Sequence, residues 1–317
     1  MAAKKKPGAD EELAQLKANP DARAIATALA SAHSRVVAAA AELIKARQLS
    51  EYTAALQSAY ARFLVDPVKR DPGCRAKLAI LEALDFTESM SEDPFLSATS
   101  LQQLEAAWGP PVDTAAGCRG RAILALARIG HQDAVPLAGL LLADDLHLVR
   151  VAAADALGHS GVRAAAGVLL HKLETGDEEP EVVLACMSGA LALVPELMLG
   201  RLAAQLADGS DEGKEVAALA LGQSNRPDAL RVLVDAAEAT VMSSDRAVIL
   251  RAMGLHRSDA ALEALLKFIA GDNLADARAA VRALATRRFE AGVRQRVQHE
   301  LRGRPELERE LAESFAD

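Results

Sequence analysis

A sequence pattern recurs at intervals of about thirty residues along the C-terminal two thirds of this chain. Six similar stretches end at positions 130, 158, 192, 222, 254 and 285, which gives successive steps of 28, 34, 30, 32 and 31 residues. Such regular spacing is the signature of a repeat protein, in which each unit packs mainly on its neighbours. The four clearest copies are Arg150–Gly158, Lys214–Gly222, Arg246–Gly254 and Ala277–Ala285.

Each copy is followed by a short polar turn and by a second stretch with helical apolar spacing. These second stretches are Asp133–Ala143, Val162–Leu173, Pro195–Ala207, Pro227–Ala237 and Asp259–Ala270. Apolar residues make up 51% of the chain but aromatic residues only 3%, and Ala and Leu favour helices. The pattern therefore predicts an all-α protein built from antiparallel helix pairs. The glycine that ends several copies is expected to adopt the left-handed conformation that terminates a helix.

The stretch Val149–Gly158 resembles the V-R-x-x-A-A-x-A-L-G pattern of the second helix in HEAT repeats. This resemblance implies a right-handed αα superhelix, that is, a solenoid of HEAT-like helix pairs whose second helices line its concave side. It also implies that the basic residue eight positions before the end of a copy takes part in a ladder of polar contacts between repeats. Those basic residues are Lys77, Arg150, Lys214 and Arg246.

The repeat rhythm divides the chain into four predicted segments. Residues 1–10 are expected to form a disordered leader, and residues 11–113 to hold N-terminal helices, degenerate repeats and an irregular insertion at 86–113. Regular HEAT-like repeats are expected over 114–290, followed by capping helices over 291–317. In this last segment Leu307, Leu311 and Phe315 form the narrow apolar stripe that a cap requires.

The insertion contains Trp108, the one tryptophan of the chain. Its segment from Gln103 to Ala115 resembles a Q-x-E-x-x-W-G-x-x-V-D-T-A stretch of some bacterial HEAT-repeat proteins that have no assigned activity. Two roles for Trp108 remain open. The favoured one is structural, with the side chain filling a gap between repeats, and the other is contact with a partner or ligand.

Charge and cysteine content limit the class of protein. The net charge of −8 argues against nucleic acid as a partner, because binding to phosphates needs a basic surface. The N-terminal residues lack the apolar core of a secretory signal, and no apolar run is long enough to cross a membrane. Cys74, Cys118 and Cys186 are widely spaced, which predicts reduced thiols in a cytoplasmic protein.

Enzyme and cofactor motifs are sparse. The turn Gly209–Lys214 has the wrong spacing for a phosphate loop, and no G-x-S-x-G nucleophile motif occurs. HEAT-like hydroxylases bind iron through several His-Glu pairs, whereas this chain has one such pair, at His299 and Glu300. The sequence therefore predicts no catalytic, metal-binding or cofactor-binding residues and a non-enzymatic protein.

Candidate partner-binding residues follow from the implied solenoid. The positions three and seven residues before the end of each copy should face the concave side. In the last repeats these positions become basic, and Arg251, Arg278 and Arg282 are expected to form a cluster suited to an acidic peptide or carboxylate. Acidic residues at equivalent positions of earlier repeats are Asp155 and Glu215.

These observations predict a scaffold or adaptor that binds a protein or peptide partner on the concave face or through the Trp108 insertion. Two alternatives remain open. One is an enzyme or cofactor-binding protein of the HEAT-like class, similar to a lyase, with the insertion as a lid. The other is a weak nucleic-acid binder that uses the C-terminal arginines.

Overall fold

A computed structural model describes residues 8–316 of the chain. This part of the protein is helical throughout, apart from one two-stranded antiparallel hairpin, and it consists of antiparallel helix pairs. The predicted all-α, HEAT-like fold is therefore confirmed. No helix within residues 8–316 is long and apolar enough to cross a membrane.

The helices are α1 (Ala9–Ala18), α2 (Ala22–Leu29), α3 (Ser34–Arg47), α4 (Thr53–Phe63), α5 (Pro67–Arg70), α6 (Arg75–Phe86), α7 (Asp93–Thr99), α8 (Ala116–Ile129), α9 (Ala134–Leu141), α10 (His147–His159), α11 (Ala166–Thr175), α12 (Pro180–Leu193), α13 (Pro195–Asp208), α14 (Asp211–Gln223), α15 (Pro227–Ala239), α16 (Ser243–Leu255), α17 (Asp259–Ala270), α18 (Leu274–Leu284), α19 (Val293–Glu300) and α20 (Pro305–Ser314). The strands are β1 (Leu104–Ala107) and β2 (Gly109–Asp113). All six sequence copies coincide with second helices, which are α8, α10, α12, α14, α16 and α18.

The chain starts its first helix within the predicted leader. Residues 1–7 of that leader lie outside the described residues, but α1 begins at Ala9, so the expectation of disorder up to residue 10 is wrong. The Gly8 N–H donates to the Glu11 carboxylate at 3.3 Å, and Asp10 and Glu12 add negative charge to the first turn. Acidic groups at this end stabilise a helix because they interact favourably with its dipole.

Among the described residues, the first compact unit ends at Ser160. Its second helices α3, α6, α8 and α10 pack against one another in chain order, and α4, α7 and α9 cover them. The unit ends at Ser160 rather than at the predicted segment boundary at residue 113. The reason is that α8, the first regular second helix, packs on both α6 and α7 from the degenerate region.

The second compact unit begins at Gly161. Helices α12, α14, α16 and α18 form its row of second helices, and each first helix packs beside its partner. At the C-terminal end α19 packs on α17, and α20 packs on α18. Leu307, Leu311 and Phe315, the predicted apolar stripe of the last helix, are buried.

Glycines at the ends of two copies serve close packing rather than helix termination. Gly222 and Gly254 lie inside α14 and α16 with ordinary helical backbone angles, whereas Gly130 alone of these three has a left-handed φ, of 74°. A Cβ on Gly222 would lie 2.2 Å from the Ala252 carbonyl oxygen of the next second helix. The expectation of a left-handed terminator was therefore wrong for Gly222 and Gly254, because both are required where neighbouring repeats approach backbone to backbone.

Ion pairs link successive repeats, as the ladder of basic residues predicts. Lys214 Nζ lies 3.5 Å from Asp245 Oδ2 at the start of α16, and Arg246 pairs with Asp276 of α18. In the first unit the basic residue makes a local contact instead, because Lys77 Nζ lies 2.9 Å from Asp71 Oδ2 in the turn before its own helix, with both side chains completely buried. A buried pair of this kind costs desolvation of both charges, so it fixes geometry more than it adds stability.

Replacing Gly222 by Ala should destabilise the second unit by about 1–3 kcal/mol, because the new methyl group collides with backbone that cannot move independently. Gly200, in α13, offers a matched control, since no atom lies within 4 Å of its added Cβ. Gly200→Ala should stabilise by about 0.5–1 kcal/mol, because Ala is the better helix former. Urea unfolding followed by circular dichroism measures both changes. Equal effects of the two substitutions would contradict the close-packing role.

Candidate functional site

The hairpin formed by β1 and β2 interrupts the helical repeat of the first unit. Leu104 pairs with Asp113, and Ala107 pairs with Gly109, with a bulge between Glu105 and Ala107. Trp108 is therefore the single residue at the tip. The turn depends on Gly109, whose φ of 127° is a conformation that side-chain-bearing residues rarely adopt.

Trp108 is fully exposed to solvent. The favoured structural role, in which this side chain fills a gap between repeats, is therefore wrong. The apolar side chains of Leu104 and Val112 are also more than half exposed, and Pro110 and Pro111 lie on the surface of β2. A solvent-exposed tryptophan at the tip of a hairpin is unusual, since apolar side chains of this size are normally largely buried.

The base of the hairpin is fixed by a buried arginine. Arg119 of α8 donates to Asp113 Oδ2 at 2.6 Å and to both carboxylate oxygens of Asp144 at 2.8 and 3.0 Å. The same guanidinium donates to the Leu101 carbonyl oxygen at 2.8 Å, just before the hairpin. One planar cation thus connects both ends of the hairpin to the α9–α10 turn, as its fork of donors allows.

A second set of contacts is centred on the Glu105 carboxylate. Its Oε1 accepts hydrogen bonds from the Gly73 N–H at 2.6 Å, the Gln103 side-chain amide at 2.6 Å and the Thr114 hydroxyl at 2.8 Å. The Gln103 amide also donates to the Asp71 carbonyl oxygen at 2.9 Å. The hairpin is therefore hydrogen-bonded to the turn that precedes α6.

These contacts shift the acidity of two carboxyl groups. For Asp113, burial acts to raise the pKa, but hydrogen bonds from the Gln103 and Ala115 N–H groups and the Arg119 guanidinium hold it below its usual range. For Glu105, burial likewise opposes ionisation, and its hydrogen bonds together still lower the pKa. Both groups are therefore ionised at neutral pH, and their negative charges hold the hairpin base in place.

Two thiols lie beneath this region. Cys74, Cys118 and Cys186 are all buried thiols. A hydrogen bond between Cys74 and Cys118 lowers the Cys74 pKa to about 7 and raises that of Cys118. The Thr114 hydroxyl lies 3.6 Å from Cys74 Sγ. Burial keeps both thiols from bulk solvent, so their role here is packing under the hairpin.

The predicted arginine cluster is largely compensated by acidic side chains. Arg251 Nη1 lies 3.2 Å from Glu215 Oε1, and Arg282 pairs with Glu310 of α20. Arg278 is exposed and has no ion-pair partner among residues 8–316. Because two of the three positive charges are neutralised within the unit, the structure does not present the strongly basic surface that the sequence suggested. An acidic partner for these arginines stays a prediction.

The two predicted acidic residues have different surroundings. Asp155 belongs to α10 in the first unit, where burial raises the pKa of its carboxyl group despite nearby His159. Glu215 belongs to α14 in the second unit, where it lines a groove and pairs with Arg251. The sequence had placed both on one row of concave positions, but the structure describes them in separate compact units.

Sequence reasoning missed the residues that anchor the hairpin. Arg119, Glu105 and Asp113 were not singled out, because a hydrogen-bond network between distant segments leaves no local periodic pattern. A signal was nevertheless available. The bacterial Q-x-E-x-x-W-G-x-x-V-D-T-A stretch that the segment resembles contains Gln103, Glu105, Trp108 and Asp113, which are the anchors and the tip of this hairpin.

Comparisons with known proteins give structural likeness only. No family model matches the chain, and no curated protein matches its sequence. One similar solved structure is the complex of CpcE and CpcF of phycocyanin lyase from Nostoc sp. PCC7120, with 19% identity, a TM-score of 0.43 and coverage of 82% of this chain and 94% of that one. Human deoxyhypusine hydroxylase has 18% identity, a TM-score of 0.30 and coverage of 77% and 96%. An engineered protein has 18% identity, a TM-score of 0.37 and coverage of 92% and 86%.

The prediction of a non-enzymatic protein needs correction. Two of these similar structures are a phycocyanin lyase complex and a deoxyhypusine hydroxylase, so a fold of this kind does not by itself exclude catalysis. The absence of a short sequence motif is weak evidence against catalysis in a repeat protein, because catalytic groups can come from separate repeats. Within residues 8–316 no group of three or more His, Cys, Asp or Glu side chains is arranged to hold a metal ion.

Replacing Asp113 by Asn should destabilise the protein by about 1–3 kcal/mol at neutral pH, since Arg119 loses a charged partner. The folded-state pKa of Asp113 is depressed, so its stabilising charge is present above the unfolded pKa of about 3.9 and is lost as pH falls through the folded value. The difference in the free energy of unfolding between wild type and Asp113→Asn should therefore become smaller below about pH 4.

Urea unfolding at neutral and acidic pH measures this difference. Asp235→Asn is the control, since Asp235 is exposed in the middle of α15 and has no ion-pair partner among the described residues, and its effect should stay within about 0.5 kcal/mol. A difference between wild type and Asp113→Asn that does not change with pH would contradict the anchoring role of the Asp113 charge.

Proposed function

We propose that this protein binds a protein partner through the hairpin of residues 104–113, with Trp108 as the anchor residue. The observation that supports the proposal is a fully exposed tryptophan at the tip of a hairpin whose base is fixed by buried ionic contacts. Trp is among the residues most enriched at the energetic centre of protein interfaces. A base that is already ordered means that little conformational entropy is lost when the tip is bound.

The energy available at the tip is sufficient to dominate an interface. An aromatic side chain of this size buries about 150–250 Å², which corresponds to about 4–6 kcal/mol of hydrophobic stabilisation before association costs. Leu104 and Val112 offer further exposed apolar surface on the same hairpin. A matching partner surface would be an apolar pocket with a hydrogen-bond acceptor near its edge for the indole N–H.

The strands favour recognition by side chains over strand addition. Pro110 and Pro111 supply no N–H donors, so β2 cannot offer a continuous hydrogen-bonding edge to another strand. The hairpin also has only four and five residues in its strands. We therefore expect the partner to bind the protruding tip, and not to extend the small sheet.

Trp108→Ala should weaken binding of the partner by at least about 2 kcal/mol, or roughly thirtyfold in Kd, because it removes the anchor side chain. Affinity capture from the source cells with wild-type protein, followed by reconstitution with the purified partner, supplies the measurement. Trp108 is the only tryptophan in the chain, so its fluorescence should shift to the blue when a partner without tryptophan buries it.

Two controls make the result specific. Thermal unfolding of Trp108→Ala should match wild type within about 0.5 kcal/mol, because the side chain makes no buried contacts. Phe289→Ala removes another exposed aromatic, in the second unit, and should leave binding unchanged. The proposal fails if every captured protein binds Trp108→Ala as tightly as wild type.

A further inference from the structure

The second unit carries a groove of about 900 Å³ between α13, α14, α15 and α16. Its floor is apolar, with Leu206 and Ile249 buried and Val232 partly exposed. Its rim includes Val241 and Met242 of the α15–α16 turn, whose side chains are 89% and 64% exposed. The volume lies at the upper end of the range of ligand sites in proteins. Two neighbouring apolar side chains that are exposed to solvent beside an apolar floor indicate a surface suited to binding a ligand or a partner.

The charged residues of this groove are mainly acidic. They are Asp211, Glu212, Glu215, Asp235, Asp245 and the single cation Lys214. Two of the five carboxylates have a partner: Asp245 lies 3.5 Å from Lys214 Nζ, and Glu215 lies 3.2 Å from Arg251 Nη1. The other three carboxylates have no ion-pair partner among residues 8–316. The groove therefore has a negative potential that attracts cations and repels nucleic acid.

The rim is held in position before any ligand binds. Arg246 Nε donates to the Ala237 carbonyl oxygen at 2.8 Å, and the same guanidinium donates to the Thr240 carbonyl oxygen. Arg246 is itself paired with Asp276 of the next second helix. The turn that carries Val241 is therefore fixed by the ladder of ion pairs between repeats. A preformed rim lowers the entropy lost when a ligand binds.

We propose that this groove binds a basic amphipathic segment of a protein partner. Its apolar side chains would lie on the Leu206 and Ile249 floor and against Val241 and Met242, and its Lys or Arg side chains would face the carboxylates. A purely apolar ligand fits less well, because covering carboxylates without supplying cations leaves them desolvated and unpaired. This site belongs to the second unit and does not depend on the hairpin of the first unit.

A synthetic peptide provides the probe. It has about 14 residues, roughly 21 Å as a helix, with Leu on one helical face and Lys on the other. Calorimetry should show saturable binding to the full-length protein that weakens as salt concentration rises, because exposed charges are screened. A peptide of the same pattern with Glu in place of Lys should not bind. A scrambled peptide with the same Leu and Lys content should bind at least about tenfold more weakly, since it lacks an apolar face.

Charge-neutral variants locate the site. A triple variant with Asp211→Asn, Glu212→Gln and Asp235→Asn should bind the Leu-Lys peptide about tenfold more weakly, since three exposed attractions are lost. The matched control changes the net charge equally with Glu178→Gln, Asp272→Asn and Glu308→Gln, which lie outside the groove lining and should leave the affinity unchanged.

A label at the rim gives a second readout. Val241→Cys introduces an exposed thiol, whereas the three native cysteines are buried, so an environment-sensitive dye should attach there selectively. The peptide should change the dye signal in this variant, and Trp108→Ala in the same background should leave that change intact. Equal loss of affinity in both triple variants, or an unchanged dye signal at saturating peptide, would overturn the proposed site. Neither result bears on the hairpin, whose test uses a different partner and residue.

Discussion

A pair of short amphipathic helices cannot bury its apolar face alone, and most features of this protein follow from that constraint. Within each compact unit the second helices pack against one another in chain order, so the ends of a row and the turns between helices carry the exceptions. The packing is close enough that Gly222 leaves no space for a methyl group beside the next helix. Ion pairs such as that of Arg246 with Asp276 then fix the register between neighbours.

The same constraint explains why both proposed binding surfaces lie at irregular points. The Trp108 hairpin occupies the interruption between α7 and α8, where buried charges replace apolar packing and hold the strands from their base. The acidic groove lies where the turn between α15 and α16 leaves Val241 and Met242 uncovered. In each case an arginine side chain donates to backbone carbonyl oxygens and fixes the backbone, and exposed apolar side chains remain beside it. Arg119 does this for the hairpin, and Arg246 does it for the rim of the groove.

Function was harder to infer than fold for a physical reason. The repeat gives the sequence a periodic pattern because every copy packs against its neighbours in the same way. One copy can therefore be compared with the next. A binding surface has no such internal copy. The arginines chosen from their repeat positions illustrate the difficulty, since their positions on second helices were correct. Their electrostatic effect, however, depends on Glu215 and Glu310, which lie 36 and 28 residues away in the chain.

The sequence by itself determined the helix pairs, the location of the six regular second helices from α8 to α18 and the apolar stripe of the last helix, because these depend on local periodicity of about 3.6 residues. It also marked residues 86–113 as the place where the repeat fails. Only the tertiary structure decided that Trp108 is exposed instead of packed, that Gly222 and Gly254 serve close approach, and that Arg251 and Arg282 are neutralised. Each of these outcomes depends on atoms from another helix, and the spacing of residues along one helix does not specify which group will lie opposite.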